Sequence, residues 1–127
     1  MQEVMAIIRM DMISKTKEAL SQAGFPALQA MKVMGRGKKK VDFALIESIM
    51  TGQHVSSPLV AESLTEGHRL IPKRLLSIIV KDDEVRKLVD VIIEINQKGH
   101  PGDGKIFVMP VLDSIRIRTG ECGDITL

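Results

Sequence analysis

The chain has 127 residues, 44% of them hydrophobic and 27% charged, with a mean hydropathy of +0.09. This is the balance of one globular core and excludes an extended disordered chain. Lys and Arg number 18 against 16 Asp and Glu, a formal charge of +2, too small for nonspecific binding to a nucleic-acid backbone. With three Phe, no Trp and no Tyr, the chain also lacks the stacking platforms of single-strand binders, so no nucleic-acid partner is expected. Cys122 is the only cysteine, which excludes an intrachain disulfide and a Cys-based zinc site and fits a reducing, cytoplasmic setting. The first residues lack a basic, long-apolar, small-residue leader pattern, and no apolar run reaches the ~18 residues of a membrane span.

Residues 4–9 are a short aliphatic run bounded by polar residues, which predicts a buried strand. Asp11 or Ser14 is placed to cap a helix running to about residue 23, with Ile13, Thr16, Leu20 and Ala23 on one face. Gly24 supplies its left-handed stop and Pro26 blocks continuation. Residues 28–37 alternate, Met31 and Val33 on one face against Ala30 and Lys32, and open into the basic stretch Gly35, Arg36, Gly37, Lys38, Lys39, Lys40. Residues 75–80 predict a third strand, entered through Pro72. Asp82 and Asp83 open a second helix striped by Val85, Leu88, Val89, Ile92 and Ile95 and stopped by Gly99. Residues 105–111 and 115–118 read as strands, the first interrupted by Pro110.

This order predicts an α+β fold, the ferredoxin-like βαββαβ sandwich, in a single domain spanning 1–127. Helices on one face would leave an aliphatic sheet face to be covered by an oligomer, expected to be a trimer. Residues 38–73, between the second and third strands, exceed the ~15 residues of an ordinary connection, which points to a functional arm that orders on meeting a partner. Its first part carries Val41, Ala44, Leu45 and Ile49 at helix-like spacing.

Gly102, Asp103, Gly104 and Lys105 lie between a helix and a strand, where glycines let backbone amides approach an anion; a plain connecting turn has the same composition. Arg116 and Arg118, two apart on a strand, would share a face and offer two guanidinium forks to a polyphosphate, or be ordinary surface charges. With the basic cluster at residues 35–40 and Lys73, these elements together point to a nucleotide. No Walker loop or GxGxxG helix start is present. His54, His68 and His100 lack ligand spacing, and nothing near Cys122 activates it, so no catalytic or metal-ligating residue is anticipated.

The run Gly102-Asp103-Gly104-Lys105-Ile106-Phe107-Val108, followed by Ile115-Arg116-Ile117-Arg118-Thr119-Gly120-Glu121, resembles the C-terminal signature of the PII nitrogen-signalling proteins. Ala6-Ile7-Ile8-Arg9, Lys17-Glu18-Ala19-Leu20 and Val33 with Gly35-x-Gly37 also match, so the resemblance covers nearly all of the chain outside residues 38–73. It implies a trimer of ferredoxin-like subunits that binds ATP or ADP between neighbours and grips targets with a T-loop, in whose place residues 38–73 stand. It further implies that Gly35, Gly37 and Lys38 line the phosphate cleft with Gly102, Asp103, Gly104, Lys105, Arg116 and Arg118. Ile7, Gln29 and Ile79 would lie near the base, and Lys73 would face the phosphates and, with Lys39 and Gly102, the 2-oxoglutarate carboxylate.

Three departures matter. Lys39 stands where the family usually has a glutamine that ligates Mg²⁺ beside ATP and 2-oxoglutarate, and a protonated lysine is no metal ligand. The absence of Tyr excludes the tyrosine uridylylation of enteric-type members. The arm is longer than usual and lacks their Tyr-Arg-Gly stretch, which, with the Gly-Arg-Gly-Lys start, is similar to the nitrogenase-associated branch often called NifI, in particular the longer-loop member of a paralogous pair.

The resemblance therefore implies a non-enzymatic sensor whose arm, through anchors such as Leu45, Ile46, Ile49 and Met50, reversibly inhibits nitrogenase component one. Its oligomer would be a homotrimer, or a heterotrimer or hexamer with a PII-like paralogue. The alternatives are a regulator of an ammonium channel or glutamine synthetase and, from another class, a small phosphohydrolase, for which no carboxylate is placed to orient water.

Overall fold

The computed structural model of the protein describes residues 1–38 and 70–127. Lys39, Leu45, Ile46, Ile49 and Met50, with the helix-like stretch expected at 41–50, lie outside the described residues.

The chain forms a four-stranded sheet in the order β2-β3-β1-β4, from β1 (Gln2–Arg9), β2 (Gln29–Gly35), β3 (Ile71–Val80) and β4 (Lys105–Pro110). Among the described residues two helices, α1 (Ile13–Gln22) and α2 (Val85–Asn96), complete a βαββαβ order. This is the ferredoxin-like arrangement, with β1 antiparallel to both β3 and β4.

Alternation explains how β1 works as an interior strand. Val4, Ala6 and Ile8 are buried, opposite Ile78, Leu76 and Arg74 on β3. Leu20 of α1 and Leu88 and Ile92 of α2 close the core against them, each buried aliphatic side chain contributing about 1.5–3 kcal/mol. Among the described residues, the one buried polar element joins the helices. Thr16 Oγ1 donates to the Met12 carbonyl (2.7 Å) and accepts from Asn96 Nδ2 (3.1 Å), which also donates to the Ile92 carbonyl (2.9 Å).

On the opposite sheet face the register aligns Glu3 with Ile79 and Met109, Met5 with Ser77 and Phe107, and Ile7 with Leu75 and Lys105. Phe107 and Ile79 are 41% and 36% exposed there.

Four local readings are corrected. Neither Asp11 nor Ser14 caps α1, which is entered instead through a 3₁₀ turn, Met10–Met12. A second such turn, Asp82–Glu84, precedes α2, where the Lys81 amide donates to the Glu84 carboxylate. β3 starts at Ile71, so Pro72 and Lys73 are already strand. Residues 115–118 are not a strand: Ile115 makes a single bridge to Cys122 and the chain turns at once, with the Thr119 and Gly120 amides both donating to the Arg116 carbonyl. Arg116 and Arg118 therefore do not share a strand face.

The chain divides into two compact units, residues 1–33 with 72–127, and residues 34–71. Of the expected site residues, Gly35, Gly37 and Lys38 belong to the second; Gly35 ends β2, and Gly37 and Lys38 are exposed.

Candidate functional site

The connection from α2 to β4 is organised by one carboxylate. α2 ends at Asn96 because Gln97 turns extended (ψ 107°), three residues before the glycine expected to stop it. Asp103 then gathers the amides released: its Oδ2 accepts from Lys98 (2.8 Å), Gly99 (2.9 Å) and His100 (3.3 Å). Burial pushes the Asp103 carboxyl up, but these three amides, followed by the Arg9 charge, outweigh it and hold the group below its ordinary value.

Two glycines make the rest of the loop. Gly102 and Gly104 have φ of +100° and +121°, and a Cβ on Gly104 would lie 2.0 Å from the Ile7 carbonyl oxygen. Only glycine lets the loop press so closely on β1.

Cations surround this loop. The Arg9 guanidinium donates from Nε to the Gly102 carbonyl (3.2 Å) and from an Nη to the Pro101 carbonyl (3.2 Å), and pairs with Asp103 Oδ1 at 2.9 Å. Lys73, opposite Arg9 in the β1–β3 register, reaches the same Gly102 carbonyl with Nζ at 3.4 Å. Burial and then the neighbouring Arg9 charge lower its pKa. Lys105 opens β4 opposite Ile7 and is exposed. A cavity of about 380 Å³ adjoins the loop, lined by Ile7, Asp103, Gly104 and Lys105 together with Asn96 and Ile93 of α2.

The structure thus brings together Ile7, Lys73, Gly102, Asp103, Gly104 and Lys105. The Arg116 guanidinium is instead paired with Glu121 and donates to the Ile125 carbonyl (2.9 Å), and Arg118 is exposed on the following turn. Among the described residues, no hydrogen bond or ion pair links either arginine to the 102–105 loop. Gln29 is the exposed first residue of β2. Ile79 pairs with Glu3 and is six residues along β3 from Lys73, about 20 Å of strand. It lines a separate cavity of about 310 Å³ with Phe25, Pro26 and Leu127.

Sequence reasoning did not single out Arg9 as a site residue. Its partners are 92 and 93 residues away, and the local signal was a lone cation ending the aliphatic run of residues 4–9.

The loop residues fit a phosphate group. Glycine backbone leaves room for close approach, and two cations meet at one edge. Among the described residues, no cluster of three or more His, Cys, Asp or Glu side chains is arranged to hold a metal ion, and no helix is long and apolar enough to cross a membrane.

Comparison with known proteins matches the chain to a family. The family described as "Nitrogen regulatory protein P-II" matches residues 1–121. "Nitrogen fixation nifHD region GlnB-like protein 2" of Methanothermococcus thermolithotrophicus is 45% identical, over 100% of this chain and 98% of its own length. The protein of the same name from Methanothermobacter marburgensis is 43% identical over 97% of each. "Nitrogen fixation nifHD region GlnB-like protein 1" of Methanothermococcus thermolithotrophicus is 34% identical over 97% of this chain and 99% of its own.

Proposed function

The chain belongs to the nitrogen regulatory protein P-II family, and on that premise we propose that it is a cytoplasmic regulatory protein, not an enzyme, that senses adenine nucleotides and reversibly inhibits nitrogenase. The observation that carries the nucleotide reading is the loop at residues 102–105, pressed on Ile7 by Gly104 and edged by Lys73 and Arg9. Gly102, Gly104, Lys105 and Lys73 hold the phosphates of ATP or ADP in this reading, with Asp103 shaping the loop. Gly35, Gly37, Lys38, Arg116 and Arg118 complete the cleft, and Ile7, Gln29 and Ile79 serve the base.

The cleft lies between subunits in this reading, which agrees with the separation of Ile79 from Lys73 along β3 and with the pairing of Arg116 to Glu121 rather than to the loop. The apolar sheet face with Met5, Phe107 and Ile79 supports a trimer. The existence of a numbered pair of relatives supports a paralogue as a second partner, giving a heterotrimer or hexamer. Residues 38–73 are the T-loop, with Leu45, Ile46, Ile49 and Met50 as anchors for the nitrogenase component that reduces dinitrogen.

Nitrogenase as target is supported by the nifHD-region names of the relatives. A tenfold effector-driven change in target affinity requires about 1.4 kcal/mol of differential effector binding between loop states. Lys39 and Lys73 are the cations that meet 2-oxoglutarate; Mg²⁺, where it takes part, would gain no ligand from Lys39, whose ammonium has no lone pair to offer. The test is a nitrogenase assay with this protein and its paralogue, with and without ATP and 2-oxoglutarate. Inhibition relieved by the effectors is expected. An indifferent nitrogenase, with capture of an ammonium channel or glutamine synthetase instead, would overturn the target.

A further inference from the structure

Resting on the nucleotide reading of the 102–105 loop, we propose that Arg9 is a positioning residue for anion binding, fixing residues 101–103 so that the Gly102 amide faces the ligand, without touching the ligand itself. The geometry of the peptide makes the case. Arg9 draws the Pro101 carbonyl inward at 3.2 Å, and no peptide bond among the described residues is cis. Across that planar trans unit the Gly102 N–H must point the opposite way. Among the described residues nothing accepts from that amide.

The next peptide repeats the arrangement. The Gly102 carbonyl is held by Arg9 and Lys73, and the Asp103 N–H is turned away from them, donating to the His100 carbonyl at 3.2 Å. The Arg9–Asp103 pair then links the guanidinium to the carboxylate that holds the Lys98, Gly99 and His100 amides. Side-chain exposures of 25% and 22% put this pair partly out of water, where charge-assisted bonds are strongest in effect. One planar fork meets three acceptors on successive residues. A lysine ammonium has the charge but not that fork.

The experiment is calorimetric titration of wild type, Arg9→Met and Arg9→Lys with ATP and with ADP, alongside amide exchange of the nucleotide-free proteins. Arg9→Met should bind both nucleotides about tenfold or more weakly, with faster exchange at Lys98, Gly99 and His100 and unchanged protection in α2. Arg9→Lys should recover only part of the affinity. A residue serving stability alone would lower the unfolding midpoint and leave affinity in place. Arg9→Met binding ATP like a wild type that itself binds would therefore overturn the inference and leave the nucleotide reading intact. A wild type that binds neither nucleotide would remove both. Should Arg9→Met not fold, Arg9→Lys decides alone: weaker binding is expected, and wild-type affinity would overturn the proposal.

Discussion

Gly104 and Ile7 are locked together by the absence of one atom: a Cβ on Gly104 would stand 2.0 Å from the Ile7 carbonyl oxygen, at a φ of +121° that other residues rarely adopt. The contact is with backbone in an interior strand, held on both edges by β3 and β4, which cannot step aside. Gly104→Ala should therefore destabilise the protein by at least about 2 kcal/mol and displace the loop. Denaturant titration and ATP titration check the two effects, and both should fall together.

Asp103 sets an acid limit on the same loop. Its carboxyl is held below the ordinary 3.8, so the folded loop binds the proton less readily than the unfolded chain. The stabilisation is fully present above that value and is lost as pH falls through the lowered one. Amide exchange at Lys98, Gly99 and His100, corrected for intrinsic rates, should accelerate only below about pH 3.8. Asp103→Asn should show fast exchange at every pH.

Lys73 gives the same sign of pH dependence from a charge that folding disfavours. Its pKa lies below the ordinary 10.5 through burial and then Arg9, so between the folded and unfolded values the unfolded chain carries more protons. Stability contributed by this group therefore rises with pH across that window. Lys73→Met should remove the alkaline rise, its stability relative to wild type being greatest near neutrality and diminishing toward pH 10.5. The same substitution should weaken nucleotide binding, a trade of stability against function readable by unfolding and calorimetry.

The elements that position the loop were legible in the sequence because each follows a local rule. Strict alternation in β1 puts Val4, Ala6 and Ile8 inside, and the stripe from Val85 to Ile95 gives α2 its buried face. Residues 115–118 misled because Ile-Arg-Ile-Arg alternates like a strand. What governs them is side-chain bonding within the turn itself, which alternation does not encode: Asp113 Oδ1 accepts from both Ser114 and Gly123, and Arg116 is occupied by Glu121. The end of α2 was misplaced for the same kind of reason, since Asp103 satisfies the amides beyond it from across the loop. Arg9 was read as the boundary of a strand; its role depends on carbonyls more than 90 residues away.

The Arg116–Glu121 pair bears on nucleotide binding if Arg116 serves the phosphates. A ligand must then compete with the Glu121 carboxylate, which Thr119 Oγ1 also holds at 2.9 Å. Glu121→Gln should tighten ATP binding a few-fold, and Arg116→Ala should weaken it about tenfold or more. Equal loss in both variants would mean that the pair serves only to hold the C-terminal turn.

The buried bridge between the helices offers a test of packing. Thr16→Val keeps the shape but leaves Asn96 Nδ2 with only the Ile92 carbonyl, at an expected cost of about 1–3 kcal/mol. Adding Asn96→Leu removes the stranded group, so the double variant should be less unstable than the sum of the singles. Chemical denaturation of the four proteins completes the cycle.

Nucleotide sensing is the central claim, and calorimetric titration of the wild-type protein with ATP, with ADP, and with 2-oxoglutarate in the presence of Mg²⁺ and ATP tests it most directly. Saturable binding of ATP or ADP is predicted, with added 2-oxoglutarate heat if Lys39 takes over the role of the family's usual glutamine. Absence of nucleotide binding, alone and with the paralogue present, would contradict the account and reduce the 102–105 loop to a connection between α2 and β4.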